Sequence, residues 1–280
     1  MQQLTKNVFA EVGVRGCNFG YVTTSDGVVM IDSPQKPTDA MKLKAEIERH
    51  GPLRYIINTE PHGDHWTGNS FFDAPVVAHE GVRSRVLGTN VEEHIARVAA
   101  MGPDEAPLMA GYKPNAPVIT FREGMTLHVG DHTFQMISMP GHTPYQAAIV
   151  VEDEGVVFTS DNIFCKCHTW IQEGNPAHWY KTLDELRALP QETFVAGHGP
   201  ITGKGYLDEQ KSFIQDWVDH VKSAVNRGMT KEEALANLPG LADRYQMDVG
   251  LEPMLPRVMQ MNISNIYDYL THQGIHAAAS

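Results

Sequence analysis

Short apolar runs separated by turn residues dominate the first two thirds of the chain. The first three runs, Val8–Val12, Asn18–Thr23 and Val28–Asp32, have the length and composition of strands. A Ser-Asp-Gly sequence at 25–27 separates the last two and is typical of a tight turn. Residues 8–32 are therefore predicted to form a β-meander.

The pattern then changes to a helical one over residues 38–50, which Gly51 and Pro52 end. The apolar run Tyr55–Thr59 follows and has the composition of a strand. This strand–helix–strand order indicates a layered α/β fold. Further strands are predicted over Pro75–Ala78, Thr126–Val129, Phe134–Met139, Ala147–Val151, Val156–Thr159 and Thr193–Ala196.

Two segments depart from this succession of short strands. Residues 82–116 are partly helical and rich in Ala, Met, Gly and Pro, which fits either a lid or a long connection. From residue 205 onward the pattern predicts helices, at 206–227, 230–238 and 255–272. We therefore expect a catalytic domain, 1–204, and a C-terminal helical extension, 205–280, packed on it.

Four methionines of the extension could belong to a helix core, a pliable substrate pocket or a homodimer contact. They are Met247, Met254, Met259 and Met261.

The composition is that of an ordinary globular enzyme, with 42% hydrophobic and 20% charged residues among 280. The net charge of -12 disfavours nucleic acid and anionic membranes as partners, because both are polyanions. Three cysteines do not suggest a disulfide framework. Neither a signal peptide nor an apolar run of membrane-spanning length is recognisable, so a cytoplasmic protein with a small-molecule substrate is expected.

Potential metal ligands are concentrated directly after the strand Tyr55–Thr59. Glu60, His62 and Asp64 alternate along the chain, so an extended segment would direct them to one side. His65 follows at once, and a bend at Gly63 could turn it toward a neighbouring point. One short loop could therefore serve two adjacent ions.

Three more candidate ligands occur where other predicted strands end. His142 follows Phe134–Met139, Asp161 follows Val156–Thr159, and His198 follows Thr193–Ala196. Strand ends of α/β sheets are where binding sites tend to be built. A single residue of this kind could equally be a turn residue, but three of them after a dense first cluster favour a metal site.

This set of ligands resembles that of the metallo-β-lactamase superfamily, over about residues 8–200. The superfamily pattern is His-x-His-x-Asp-His, followed by a lone His, a lone Asp and a final His. The resemblance implies an αββα sandwich with two divalent metal ions, zinc first and manganese or iron as alternatives. It assigns the ligands as follows: Glu60, His62 and His142 to the first ion, Asp64, His65 and His198 to the second, and Asp161 as a bridge.

Glu60 stands where the superfamily has histidine. Two divalent ions carry four positive charges, which Glu60, Asp64, Asp161 and a bridging hydroxide would balance. A neutral inner sphere makes a milder Lewis acid, and additional oxygen ligation widens the choice of metal. The alternative is that Glu60 lies outside the coordination sphere and the first metal is weakly held.

The expected mechanism uses a hydroxide shared by two ions, which attacks an acyl or phosphoryl centre. Asp161 would fix the separation of the ions and Asp64 would orient the nucleophile. Substrate-binding candidates follow the ligands in the sequence: Trp66, Tyr145, His168 and Trp170. The Cys-x-Cys-His sequence that ends at His168 lacks a second cluster to complete a structural zinc site, so loop residues are the simpler interpretation.

Hydrolysis of a small ester, lactone or amide is the function that these residues favour. β-Lactamase or thioesterase activity is the first alternative, although the β-lactamases usually lack a bridging aspartate. A mononuclear iron dioxygenase of the same superfamily is the second alternative. A non-catalytic binding protein is disfavoured by the complete ligand set, and phosphodiester cleavage of nucleic acid is disfavoured by the acidic charge.

Overall fold

A computed structural model of the chain describes residues 1–241 and 244–278, with side chains as far as residue 272. The last eight side chains of the predicted extension therefore lie outside the described residues. Two sheets face one another, and helices cover the outer face of each. The predicted αββα sandwich is confirmed.

The first sheet has seven strands in sequence order. Strands β1 to β4 pair antiparallel, whereas β4 to β7 pair parallel. The strands are β1 Gln2–Gln3, β2 Val8–Glu11, β3 Phe19–Thr24, β4 Gly27–Ile31, β5 Leu53–Ile57, β6 Val76–His79 and β7 Ile119–Phe121.

The second sheet has five strands in the spatial order β12-β11-β10-β9-β8. All neighbours are antiparallel except β11 and β12, which are parallel. The strands are β8 Gly124–Val129, β9 His132–Ser138, β10 Ala147–Val151, β11 Val156–Phe164 and β12 Thr193–His198.

The helices connect the strands or follow the last of them. They are α1 Pro37–Ile47, α2 Gly63–Trp66, α3 Glu80–Leu87, α4 Val91–Ala99, α5 Glu105–Leu108, α6 Pro176–Ala188, α7 Leu207–Asn226, α8 Lys231–Asn237 and α9 Leu255–Ala278. The predicted connection 82–116 thus contains three short helices, whose polar caps include Asn90 at the start of α4. In the described part of the chain, no helix is both long and apolar enough to cross a membrane.

Apolar side chains that point alternately to the two faces of a strand explain how the layers pack together. Val29 and Ile31 of β4 face the second sheet, while Val28 and Met30 face α1 on the outside. This alternation is what a strand buried on both faces requires. From the other side, Phe134 and Ile149 complete the cluster between the sheets.

The C-terminal extension shares a hydrophobic cluster with the second sheet. Phe213 and Trp217 of α7 and Ile263 and Ile266 of α9 are buried in it, together with Val157 of β11. The predicted boundary at 204 coincides with a 3₁₀ turn before α7. The extension thus covers the outer face of this sheet.

This shared cluster predicts that Ile266→Ala lowers the free energy of unfolding of the whole chain by about 2–5 kcal/mol, since Ile266 is fully buried. Urea unfolding followed by tryptophan fluorescence measures it. Leu87→Ala is the control, because Leu87 is 62% exposed and its truncation should cost within about 0.5 kcal/mol. A normal unfolding midpoint for Ile266→Ala would show that α9 is not part of the core.

Candidate metal centre

The predicted ligands converge at one edge of the sandwich, where strands of both sheets end. Glu60 follows β5, and His142 lies between β9 and β10. Ligand atoms of these two residues, His62 and Asp161 lie within 4.8 Å of one another. His62 presents Nδ1 to this cluster, 2.9 Å from Glu60 Oε2 and 3.2 Å from His142 Nε2.

A second cluster lies beside the first. Ligand atoms of Asp64, His65 and His198 also fall within 4.8 Å of one another. Asp161 is placed between the clusters, with Oδ1 3.1 Å from His65 Nε2 and Oδ2 3.3 Å from His198 Nε2. The same Oδ2 is 3.6 Å from Nε2 of His142 in the first cluster. The structure therefore brings all seven predicted ligands together in two groups.

The first motif differs from the extended segment that the sequence predicts. His62 lies on extended backbone and Glu60 lies in a bend before it, but Asp64 and His65 lie in α2, a single helical turn that begins at Gly63. Consecutive residues of a helix point in different directions, so Asp64 and His65 approach the second cluster from separate sides.

Asp161 and His198 also lie inside strands rather than in the turns expected after them. The strands β11 and β12 continue to Phe164 and His198 because their pairing shifts register twice, between Phe158 and Ser160 and again before Phe164. A bulge of this kind re-aims side chains near active sites. At Gly197, any Cβ would collide with Asp161 Oδ1, so the close approach of the two strands requires glycine there.

Two residues near the ligands have left-handed backbone conformations that are uncommon outside glycine. Asp32 has φ of 54° and Ser160 has φ of 55°. Asp32 accepts hydrogen bonds from the backbone N–H of Thr59 at 2.8 Å and from His65 Nδ1 at 2.9 Å. The surrounding contacts thus hold a strained residue where it can orient a ligand.

Each histidine ligand is oriented through its outer nitrogen. His65 donates to Asp32, and His198 donates from Nδ1 to Asp248 at 2.9 Å. His142 donates from Nδ1 to the carbonyl of Trp170 at 2.7 Å. His62 Nε2 lies 2.9 Å from Glu173, which also pairs with Arg85 at 2.5 Å. Such outer contacts fix the tautomer and orientation of metal-binding histidines.

The charges of the ionisable side chains in the centre favour the binding of cations. Burial alone would lower the pKa of His198, but the carboxylates of Asp161, Asp248 and Asp64 together more than offset it and raise that pKa to about 10. The pKa of Asp161 is held well below its usual range, since His198 and His65 outweigh the effect of burial. Three carboxylates packed this closely need positive charge between them.

Unpartnered buried atoms support the same conclusion. Glu60 Oε2, His65 Nε2 and Asp161 Oδ1 are buried without a hydrogen bond of acceptable geometry. Buried polar atoms are rarely left without a partner, and those that are need an explanation such as an ion. Because all three point into the clusters, the donor set fits divalent metals that accept carboxylate and imidazole ligands.

The centre forms the floor of a cavity of about 610 Å³. Of the four predicted substrate-binding residues, Trp66 and Trp170 line this cavity. Trp66 is nevertheless nearly buried, and it stacks on His94 at 4.7 Å while its indole N–H donates to the Pro61 carbonyl. It shapes the wall more than it offers a free surface.

The other two predicted substrate-binding residues are not among the residues that line the cavity. Tyr145 packs over Gly81 and stacks on His79 with ring centroids 5.5 Å apart. His168 is buried between Phe213 and Trp217, where burial lowers its pKa to about 4. Both follow a ligand closely in sequence, but the chain turns away from the centre before it reaches them.

Several residues of the centre escaped sequence reasoning. Asp32 directly follows β4. The predicted ligands were found because they follow strands, and the same criterion could have identified Asp32. Asp248 and Glu173 lie in loops without a recognisable pattern. Arginines on the cavity wall had no signal either, since they come from separate segments: Arg15, Arg85, Arg97 and Arg257.

Comparisons with known proteins agree with this geometry. A family model described as the metallo-beta-lactamase superfamily matches residues 12–198. A hydroxyacylglutathione hydrolase of Rhodobacter capsulatus is 31% identical over 204 residues, which cover 71% of this chain and 69% of that protein. A linear primary-alkylsulfatase of Pseudomonas sp. is 21% identical over 254 residues, covering 76% and 48% respectively. A solved metallo-beta-lactamase family protein of Thermus thermophilus superposes with a TM-score of 0.67, at 17% identity, over 99% of this chain and 96% of that one.

The contact between Asp248 and His198 predicts a role for the extension in metal binding. Asp248→Asn should weaken binding of the metal at the cluster of Asp64, His65 and His198 about 10–100-fold. The reason is that His198 loses the carboxylate that fixes its tautomer. Titration against a calibrated metal chelator measures the affinity. Asp104→Asn, at an exposed position outside the clusters, should leave it unchanged. Equal affinities for both variants would contradict a role for Asp248.

Proposed function

Because the chain belongs to the metallo-beta-lactamase superfamily and is a metal-dependent hydrolase, we propose that it is a dinuclear enzyme that cleaves a small ester or thioester. Two divalent cations bound at this centre would activate water for attack and polarise the oxygen of the bond to be cleaved. Zinc is the metal that we propose first, because four of the seven donors are imidazoles.

The observation that carries the proposal is the position of Asp161. Its carboxylate oxygens lie 3.1 Å from His65 and 3.6 Å from His142, which belong to different clusters. A mononuclear site would not need a second complete group of ligands on the far side of this carboxylate. The arrangement therefore favours two metals over the single iron of a dioxygenase.

The residues of the centre have separable roles in this proposal. Asp161 holds the two ligand groups at a fixed separation. Asp64 is the most exposed of the three carboxylates and lines the cavity, so it is the one that can accept a hydrogen bond from the attacking water. Glu60 is fully buried and supplies the third negative charge.

The type of bond cleaved is inferred from chemistry and relatives together. A relative named as a hydroxyacylglutathione hydrolase supports an acyl substrate, and no serine or cysteine nucleophile is required. Lactone, amide and β-lactam hydrolysis remain the alternatives, since the same attack on a carbonyl would serve them. The likeness to a linear primary-alkylsulfatase supports sulfate esters as a second candidate class.

Other parts of the proposal concern the setting of the enzyme. We propose a small-molecule substrate rather than nucleic acid or a membrane, in keeping with the net charge of -12. A cytoplasmic location and a homodimer are further proposals. Size-exclusion chromatography coupled to light scattering would settle the assembly.

The proposal is tested by metal removal and a substrate panel. Prolonged dialysis against a chelator should abolish hydrolysis, because every step is expected to depend on the bound ions, and added Zn, Mn or Fe should restore it. The panel contains aryl esters, thioesters, lactones, amides, β-lactams and an alkyl sulfate. Full activity in protein shown by elemental analysis to be metal-free would end the proposal.

Glu60 provides the most specific prediction. Glu60→Ala should lose one metal selectively, since His62 and His142 alone make a poor site, whereas Glu60→His should keep two. Glu60→His should also move the acidic limb of the pH–rate profile to lower pH. Removing one negative charge makes the centre more positive, and water there then loses its proton more readily.

Metal content per chain and the pH–rate profile are measured for the wild type and both variants. Glu11→Ala is the control, because Glu11 lies on β2 and pairs with the N-terminus instead. If Glu60→Ala retains two tightly bound metals and normal turnover, Glu60 is not a ligand.

A further inference from the structure

Arginines are concentrated on the wall of the cavity. Four of the eleven arginines of the chain line it, whereas none of its eleven lysines does. Among the described residues that line the cavity, the carboxylates are Asp64 and Asp161, both assigned to the metals. A chain with a net charge of -12 thus presents a basic wall around its proposed active site.

Two of these arginines have structural partners. Arg15 donates to the carbonyl of Gly250 and so ties the β2–β3 loop to the extension. Arg85 pairs with Glu173, which in turn contacts His62. These two guanidinium groups therefore already take part in contacts that connect segments of the cavity wall.

The other two arginines have no ion-pair partner among the residues that the structure describes. They are Arg97 of α4 and Arg257 of α9, and both are exposed. By contrast, Arg187 pairs with Asp208 and Arg244 pairs with Glu209. The two unpaired guanidinium groups come from different segments of the chain and line the same cavity.

Apolar side chains accompany each of these two arginines. Met261 lies four residues after Arg257 and so shares its face of α9, and Met254 lies in the 3₁₀ turn directly before α9; both line the cavity. Val98 and Met101 lie beside Arg97 and line the cavity as well. Methionine side chains adapt to flexible apolar chains. The wall therefore combines positive charge with a pliable apolar surface.

We propose that this cavity binds amphiphilic anions, with an apolar chain against the methionines and a carboxylate or sulfate group on Arg97 and Arg257. The assignment of such an anion as the substrate rests on the proposed hydrolase function, but its binding does not. Glu60, Asp64 and Asp161 would neutralise most of the charge of two bound metals. The arginines are then the main source of attraction for an anion, and guanidinium groups match carboxylate and sulfate oxygens in geometry.

Binding is tested on the metal-loaded protein by isothermal titration calorimetry with four eight-carbon probes: octanoate, octyl sulfate, octanol and octyltrimethylammonium. Both anions should bind at least tenfold more tightly than the neutral and cationic probes. Arg97→Gln and Arg257→Gln should each weaken anion binding about threefold to tenfold, since each removes one charge-assisted hydrogen bond at an exposed position. Octyl sulfate binding more tightly than octanoate would identify sulfate as the preferred group, and the reverse would identify carboxylate.

Arg227→Gln is the matched control. Arg227 is also exposed and forms no ion pair within the described residues, but it lies at the end of α7 and does not line the cavity. Its loss should leave anion binding unchanged. Circular dichroism of all variants checks that they are folded.

A kinetic comparison connects binding to turnover. 4-Nitrophenyl hydrogen suberate carries a carboxylate at the end remote from its ester, whereas 4-nitrophenyl octanoate does not. The wild type should prefer the suberate, and the variant with both Arg97→Gln and Arg257→Gln should lose this preference mainly through KM. The octanoate ester should be hydrolysed equally well by both proteins.

The outcomes separate the two proposals. Anions that bind no better than octanol, or that bind equally to the arginine variants, would overturn the inference even if esters are hydrolysed. Selective anion binding without hydrolysis of any ester, thioester or sulfate would support the inference and reject the proposed function.

Discussion

Three buried or half-buried carboxylates, those of Glu60, Asp64 and Asp161, converge on four histidines, and the rest of the centre depends on this arrangement. Removing carboxylates from water is costly unless positive charge compensates them. Without metal the compensation comes from protons, as the pKa of about 10 for His198 indicates. Divalent cations would compensate the same carboxylates and would also give partners to the buried atoms of Glu60 and His65 that lack a hydrogen bond. The donor set of the centre therefore fits bound cations.

The sandwich supplies the rigidity that such a centre needs. Strands of both sheets end at the same edge, and apolar residues on both faces of β4 and β11 hold those ends in place. The extension adds a third support, because Asp248 orients His198 and Arg15 fixes the loop that carries Asp248. The extension therefore positions a predicted ligand through a loop residue, although it supplies none itself among the described residues.

The sequence predicted a feature correctly where the type of a residue and its neighbours in the chain are enough to determine that feature. Short apolar runs bounded by turn residues predicted most strands, and the ligand motif identified all seven converging side chains. It failed where the outcome depends on long-range pairing. The edge strand β1 has two exposed polar residues and gives no signal. The extension of β11 to Phe164 depends on a register shift against β12, which one segment alone does not encode. Tyr145 and His168 do not line the cavity, because nearness in sequence to a ligand does not imply nearness in space. The arginine wall is assembled from the β2–β3 loop, α3, α4 and α9, so only the folded chain reveals it.

Anomalous diffraction from zinc-loaded crystals of the intact chain tests directly whether the centre binds two metals. Two peaks about 3.5–4 Å apart are expected. One should be bounded by Glu60, His62 and His142, the other by Asp64, His65 and His198, with Asp161 between them. A single peak, or two peaks with the Glu60 carboxylate turned away from both, would contradict this expectation.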